Sequence, residues 1–181
     1  MRIVAGELGG RVLRAPPGAS TRPTSEKVRE AVFNILGPPP DDTVVLDVFA
    51  GSGALGLEAL SRGAARAVFV EKDRGAAQAL RRNVDDLGVA DRTEIVISDA
   101  LAFLRRRADA FRWVFIDPPY KTDLARRVLD LLSERVTEDS SIVVEHDRRN
   151  APADAHGSLL RTDLRRYGDT EVSFYRKAPR P

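Results

Sequence analysis

The chain has 181 residues, no cysteine, two histidines and a formal net charge of +2. That length suits one domain with a sizeable core, no apolar run is long enough to span a membrane, and MRIVAGELGGR lacks the apolar block of a signal peptide. Without cysteine there is no disulfide, thiolate nucleophile or zinc finger, and cytosine C5 methylation, which uses a thiol, is disfavoured; two histidines are too few for a histidine-based metal centre. The expectation is a cytoplasmic, monomeric protein with no metal and no membrane contact, working through an organic cofactor.

Residues 2–4 and 11–13 are short strand-like pieces around a turn bearing Gly6, Gly9 and Gly10, which reads as a hairpin. Pro16-Pro17-Gly18 and Arg22-Pro23-Thr24 follow as an extended linker. Thr24 or Ser25 can cap a helix with Val28, Ala31, Val32, Ile35 and Leu36 on one face, and Gly37 with residues 38–40 stops it. We read residues 1–37 as a hairpin-and-helix appendage before a domain at 38–181. Residues 1–37 hold six basic and three acidic side chains, residues 38–146 fifteen and nineteen, residues 147–181 eight and five. The positive ends make Arg11, Arg14 and Arg22 candidate contacts to a polyanion, against the plainer reading of a solvated surface. Arginine far outnumbers lysine, which suits bidentate phosphate recognition but also follows from GC-rich coding.

The chain is organised around residues 43–60, TVVLDVFAGSGALGLEAL. Val44, Val45, Leu46 and Val48 form a buried strand, Asp47 interrupts it, Gly51-Ser52-Gly53 turn, and Leu55, Ala59 and Leu60 recur at helical spacing. A strand, a glycine turn and a helix N-terminus make a ligand-binding corner, because the first helical N–H groups are unpaired and glycine admits close approach. Gly51, Gly53 and Gly56 fit G-x-G-x-x-G with Glu71 about 20 residues on, the pattern of a nicotinamide-binding fold. The same residues fit D-x-F-x-G-x-G, the loop of class I S-adenosylmethionine methyltransferases. On this spacing alone both readings stay open.

Strands then alternate with helices. Residues 67–70 end at Glu71, 94–97 at Ser98-Asp99, 112–116 at Asp117 and 142–144 at Glu145, with helices between them. This is a doubly wound α/β sheet with right-handed connections. Residues 159–164 and 172–176 read as a closing antiparallel hairpin around Tyr167-Gly168-Asp169, giving seven strands. A nicotinamide-type sheet would end instead on a parallel sixth strand. Asp47, Glu71, Asp99 and Asp117 each end a strand, and in open α/β sheets those ends line one crevice. They suit a sulfonium, an ammonium and ribose hydroxyls better than a pyrophosphate. The candidate cofactor residues are Asp47, Phe49, Ala50, Gly51, Gly53, Glu71, Lys72, Asp99 and Ala100.

Asp117-Pro118-Pro119-Tyr120 follows the most apolar strand, and this D-P-P-Y sequence resembles that of methyltransferases acting on exocyclic or amide nitrogens. An exocyclic amine is a weak nucleophile because its lone pair is delocalised. Accepting its hydrogens at Asp117 and the Pro118 carbonyl would localise that pair. The Pro118-Pro119 step holds its carbonyls rigidly, and Tyr120 offers a stacking face for a flipped base. His146 is read as structural or surface, and the stretch 150–157 is uninformative.

Over nearly its whole length the chain resembles the bacterial RsmD-like methyltransferases, through RIVAGELGGRVLRAP, RPTSEKVREAVFNIL, VLDVFAGSGALGLEALSRGA, VEKD and DPPY. The RPTSEKVREAVFNIL stretch is the narrowest of these. The resemblance implies a class I S-adenosylmethionine-dependent Rossmann-like fold and methylation of guanine N2 in 16S ribosomal RNA. It also implies a small ribosomal subunit, or an assembly intermediate of one, as substrate. A DNA adenine N6-methyltransferase, an NAD-dependent oxidoreductase and a non-catalytic assembly factor stay as alternatives.

Overall fold

The computed structural model describes residues 1–16, 26–107, 109–119 and 122–179. Eight strands form one sheet: β1 (Val44–Asp47), β2 (Arg66–Glu71), β3 (Thr93–Ile97), β4 (Trp113–Ile116), β5 (Ser141–Asp147), β6 (Ala155–His156), β7 (Leu159–Tyr167) and β8 (Thr170–Lys177). Their order is β3-β2-β1-β4-β5-β8-β7-β6. The first five pair in parallel, and β8 runs antiparallel beside β5. The closing hairpin is therefore present. The strand beyond the expected seven is β6, a two-residue piece from the stretch that carried no sequence signal.

Among the described residues five α-helices cover the sheet: α1 (Glu26–Leu36), α2 (Ala54–Ser61), α3 (Arg74–Leu87), α4 (Ala100–Arg106) and α5 (Leu124–Leu132). Alternation along each strand feeds two cores. Val45, Phe69, Phe115 and Val143 face α1, α2 and α3, whereas Leu46, Val68, Val114 and Val144 face α4 and α5. Strands buried on both faces explain why β1, β2 and β4 read as continuous apolar runs.

The N-terminal pieces pair at a single antiparallel bridge, Arg2 with Val12. They do not project. Ile3 and Leu13 are buried in the same core as Val28, Val32 and Phe33 of α1. Phe33 packs on Trp113 and Phe115 at centroid distances of 6.0 and 5.5 Å. The apolar face of α1 differs from the expected one: Phe33 and Arg29 are buried, while Ile35 is 41% exposed. Arg29 is tolerated inside because its Nε donates to the fully buried Glu58 at 3.3 Å. Burial pulls the Arg29 pKa down, and the Glu58 charge opposes that shift. Removing either partner would leave an uncompensated buried charge.

Candidate active site

The strand order reverses direction at β1, whose neighbours β2 and β4 lead to opposite halves of the sheet. Such switch points open a crevice at the carboxyl ends of the strands. Here the crevice is a cleft of about 390 Å³. Asp47, Glu71, Asp99 and Asp117 all line it, with Phe49, Ala50, Gly51, Lys72, Ala100, Pro118 and Pro119.

The glycine loop owes its shape to hydrogen bonds from both neighbouring strand ends. Val48 N–H donates to the Phe115 carbonyl and Ala50 N–H to the Val70 carbonyl, each at 3.0 Å. Gly51 N–H donates to Glu71 Oε2 at 2.8 Å, and the other oxygen of Glu71 accepts from Asp73 N–H at 2.7 Å. The three glycines have different reasons to be glycine. Gly51 has φ +52°, and a Cβ there would meet nothing within 4 Å. Gly53 has φ +83°, and a Cβ would sit 2.3 Å from Leu80 Cδ1 in the core; it does not line the cleft. Gly56 would place a Cβ 2.3 Å from the Phe69 ring, so it lets α2 lie close on β2.

Asp47 is almost fully buried and accepts from Gly56 N–H at 3.2 Å. Burial pushes its pKa up to about 7; the Gly56 and Phe49 amides oppose this, and the nearby Glu71 charge adds to it. Asp99 caps α4 by accepting from Ala102 N–H at 3.0 Å, which places Ala100 at the cleft wall. Asp117 is half-buried at the end of β4. The loop after it is braced twice: Thr122 Oγ1 donates to the Pro119 carbonyl at 2.9 Å, and Asn150 Nδ2 to the Thr122 carbonyl at 2.6 Å.

Tyr120 and Arg22 lie outside the described residues. Arg11 and Arg14 are on the surface and both reach Asp86 of α3, Arg11 at the backbone carbonyl and Arg14 at the carboxylate, 2.8 Å away. His146 is buried, with Nε2 2.8 Å from Ser173 Oγ. Burial lowers its pKa, with the hydrogen bond at the Asp147 backbone opposing. Sequence reasoning missed Met1 and Pro16, which also line the cleft, and the burial of Asn83 and Glu58. Among the described residues no group of acidic or histidine side chains could hold a metal ion, and no helix is long and apolar enough to cross a membrane.

A parallel α/β sheet closed by an antiparallel hairpin, with a glycine loop and acidic strand ends around one cleft, is the class I S-adenosylmethionine-dependent methyltransferase fold. The family described as Conserved hypothetical protein 95 matches residues 1–176, and the chain belongs to it, as an RsmD-type member. It is 41% identical over 152 residues to the ribosomal RNA small subunit methyltransferase D of Escherichia coli (strain K12), covering 83% of this chain and 76% of that one. It is also 41% identical over 182 residues to the Bacillus subtilis (strain 168) protein YlbH, provisionally named an rRNA methyltransferase, covering 98% of this chain and 99% of that one. The Escherichia coli protein yhhF superposes with TM-score 0.86 at 34% identity over 99% of both chains. An RNA methyltransferase of Salinibacter ruber, solved with S-adenosyl-L-homocysteine, shares the fold with TM-score 0.68 at 19% identity, over 88% of this chain and 95% of that one.

Proposed function

We propose that the chain is an S-adenosylmethionine-dependent rRNA methyltransferase that modifies the exocyclic N2 of a guanine in 16S rRNA, within an assembled or assembling small subunit. The observation that carries this reading is the convergence of four strand-end carboxylates, the glycine loop and the Pro118-Pro119 step on one cleft. Relatives named for small-subunit rRNA methylation support the substrate class. A nicotinamide dinucleotide would bring two phosphates into that acidic edge, which Coulomb repulsion disfavours.

The donor set fits the cofactor. Gly51 leaves open space above its backbone, Glu71 and Asp99 are carboxylates at the rim for hydroxyl or ammonium donors, and Phe49 and Ala100 supply apolar wall. When bound, S-adenosylmethionine supplies an electrophilic methyl carbon on a cationic sulfur. The chain's part is to hold the target amine. Asp117 accepts one of its hydrogens and the Pro118 carbonyl the other, so the nitrogen lone pair points out of the ring plane. Asp117 is then placed to take the proton that the methylated, cationic amine sheds, and no stronger base is required beforehand. Tyr120 is assigned to stacking on the flipped base.

The deciding experiment incubates the protein with radiolabelled S-adenosylmethionine and, separately, naked rRNA, small subunits and DNA, and then identifies the labelled nucleoside. Label is expected in N2-methylguanosine from small-subunit 16S rRNA. Label in DNA adenine, or in no nucleic acid, would overturn the assignment.

A further inference from the structure

Both ends of residues 1–16 reach the cleft, since Met1 and Pro16 line it beside the glycine loop. Besides surface ties such as Arg14 to Asp86, two sets of buried polar side chains fasten them to the fold. Near their start, the buried Glu58 of α2 accepts from Val4 N–H at 2.7 Å and Ala5 N–H at 3.0 Å while pairing with Arg29 and Arg62. One turn on, Ser61 Oγ accepts from Leu8 N–H at 3.0 Å and its carbonyl from Glu7 N–H at 2.8 Å. Gly6 approaches so closely that a Cβ would lie 1.9 Å from the Ser61 carbonyl oxygen.

The second fastening is Asn83 of α3, which is 1% exposed. Its Oδ1 accepts from Arg14 N–H at 2.8 Å, and its Nδ2 donates to the Arg14 carbonyl at 3.1 Å. The same Nδ2 donates to the Ser52 carbonyl at 2.9 Å, between the two loop glycines. One amide therefore holds the glycine loop and the residue two positions before Pro16. A carboxamide has two donors and an acceptor, which is the set this bracket uses; aspartate lacks the donors and leucine lacks both. Ser52 is itself buried, so water is a poor replacement for the lost donor.

We propose that Asn83 is a positioning residue for the methyl-donor cleft, locking the glycine loop to residues 1–16 so that donor binding at the loop is transmitted to that segment. The inference rests on reading the cleft as the donor site. It makes the N-terminal segment a wall of the cleft, whose order rises when the donor is bound. A buried asparagine that only satisfied its neighbours would add stability without linking the two segments.

The test is backbone hydrogen exchange on the full chain, with and without saturating S-adenosyl-L-homocysteine. In the wild type the ligand is expected to slow exchange at residues 47–56 and also at 2–16. In Asn83→Ala, folded by circular dichroism, protection at 47–56 should persist in part and protection at 2–16 should vanish. Calorimetry should then show affinity about tenfold weaker. Asn83→Asp, with a carboxylate facing two carbonyls, should behave no better. Wild-type protection confined to 47–56 would overturn the inference alone, as would an Asn83→Ala variant with unchanged affinity and protection. No protection at 47–56 in the wild type would overturn the donor-site reading and the inference with it. If the variants fail to fold, the wild-type exchange pattern still decides.

Discussion

Gly51→Val and Gly53→Val look equivalent in the sequence, and the structure predicts opposite phenotypes. At Gly51 the backbone has φ +52° and a Cβ meets nothing within 4 Å, so the fold loses only the strain of a side chain in the left-handed region. That strain is about 1–2 kcal/mol, or roughly 2–8 °C in Tm for a chain of this size. The added side chain projects where the ligand approaches the loop, so affinity for S-adenosylmethionine should fall by about 100-fold or more. At Gly53 a Cβ lies 2.3 Å from Leu80 Cδ1 and 3.1 Å from Leu57 Cδ1. Both leucines are fully buried, so neither can swing into solvent. Overpacking of this kind adds about 1–3 kcal/mol to a similar backbone strain, for a loss of roughly 2–5 kcal/mol. Thermal melts monitored by circular dichroism give the stability of each variant, and calorimetry on the folded fraction gives its affinity. Wild-type affinity in Gly51→Val, or equal melting losses in the two variants, would refute the division of roles.

Three further outcomes are expected. Asp117→Ala should bind S-adenosylmethionine normally while single-turnover methylation falls by about 100-fold or more; near-normal transfer would move the chemistry away from this residue. Asp47 has a folded pKa near 7, above its unfolded value, so its proton is held more tightly in the folded state and stability falls as pH rises from about 4 to 7. Urea titrations at pH 5 and pH 8 should show this loss, about 2 kcal/mol, in the wild type and not in Asp47→Asn, and parallel curves would refute it. Replacing Arg11 and Arg14 together should lower melting temperature slightly through lost contacts to Asp86. If they also meet RNA, the salt dependence of substrate binding should flatten, whereas an unchanged slope returns them to a purely structural role.

The parts of the fold legible in the sequence were those set by local pattern. Apolar runs marked β1, β2 and β4, and the acidic residue closing each run marked the strand end, because an ionised side chain is costly in the middle of a strand buried on both faces. What stayed hidden depended on contacts far apart in the chain. Asn83 falls on the apolar face of α3 with Ala76, Leu80 and Leu87, so helical spacing marks its position as buried but says nothing of what a polar side chain there bonds. Its partners Arg14 and Ser52 are 69 and 31 positions away. Nothing local marks Arg29 and Glu58 as a buried pair either, since only the tertiary fold brings them together. The two-residue β6 was too short for any periodicity to register.

Four carboxylates along one edge would ordinarily repel one another, and the structure shows how three of them are accommodated before any ligand arrives. Asp47 accepts from the Gly56 amide, Glu71 from the Gly51 and Asp73 amides, and Asp99 from the Ala102 amide. Each therefore spends part of its acceptor capacity on backbone that would otherwise need water, and a carboxylate has about four lone-pair sites to divide. The remaining capacity at Glu71 and Asp99 faces the cleft, while burial keeps Asp47 near its protonation midpoint at neutral pH and so moderates the total charge. The same residues that would recognise a cationic, hydroxyl-bearing ligand thus build the walls that receive it, Glu71 the glycine loop and Asp99 the start of α4. Substitution at Glu71 should for that reason alter glycine-loop order and affinity together, and substitution at Asp99 the first turn of α4 and affinity, whereas substitution at Asp117, beyond β4, should alter transfer alone.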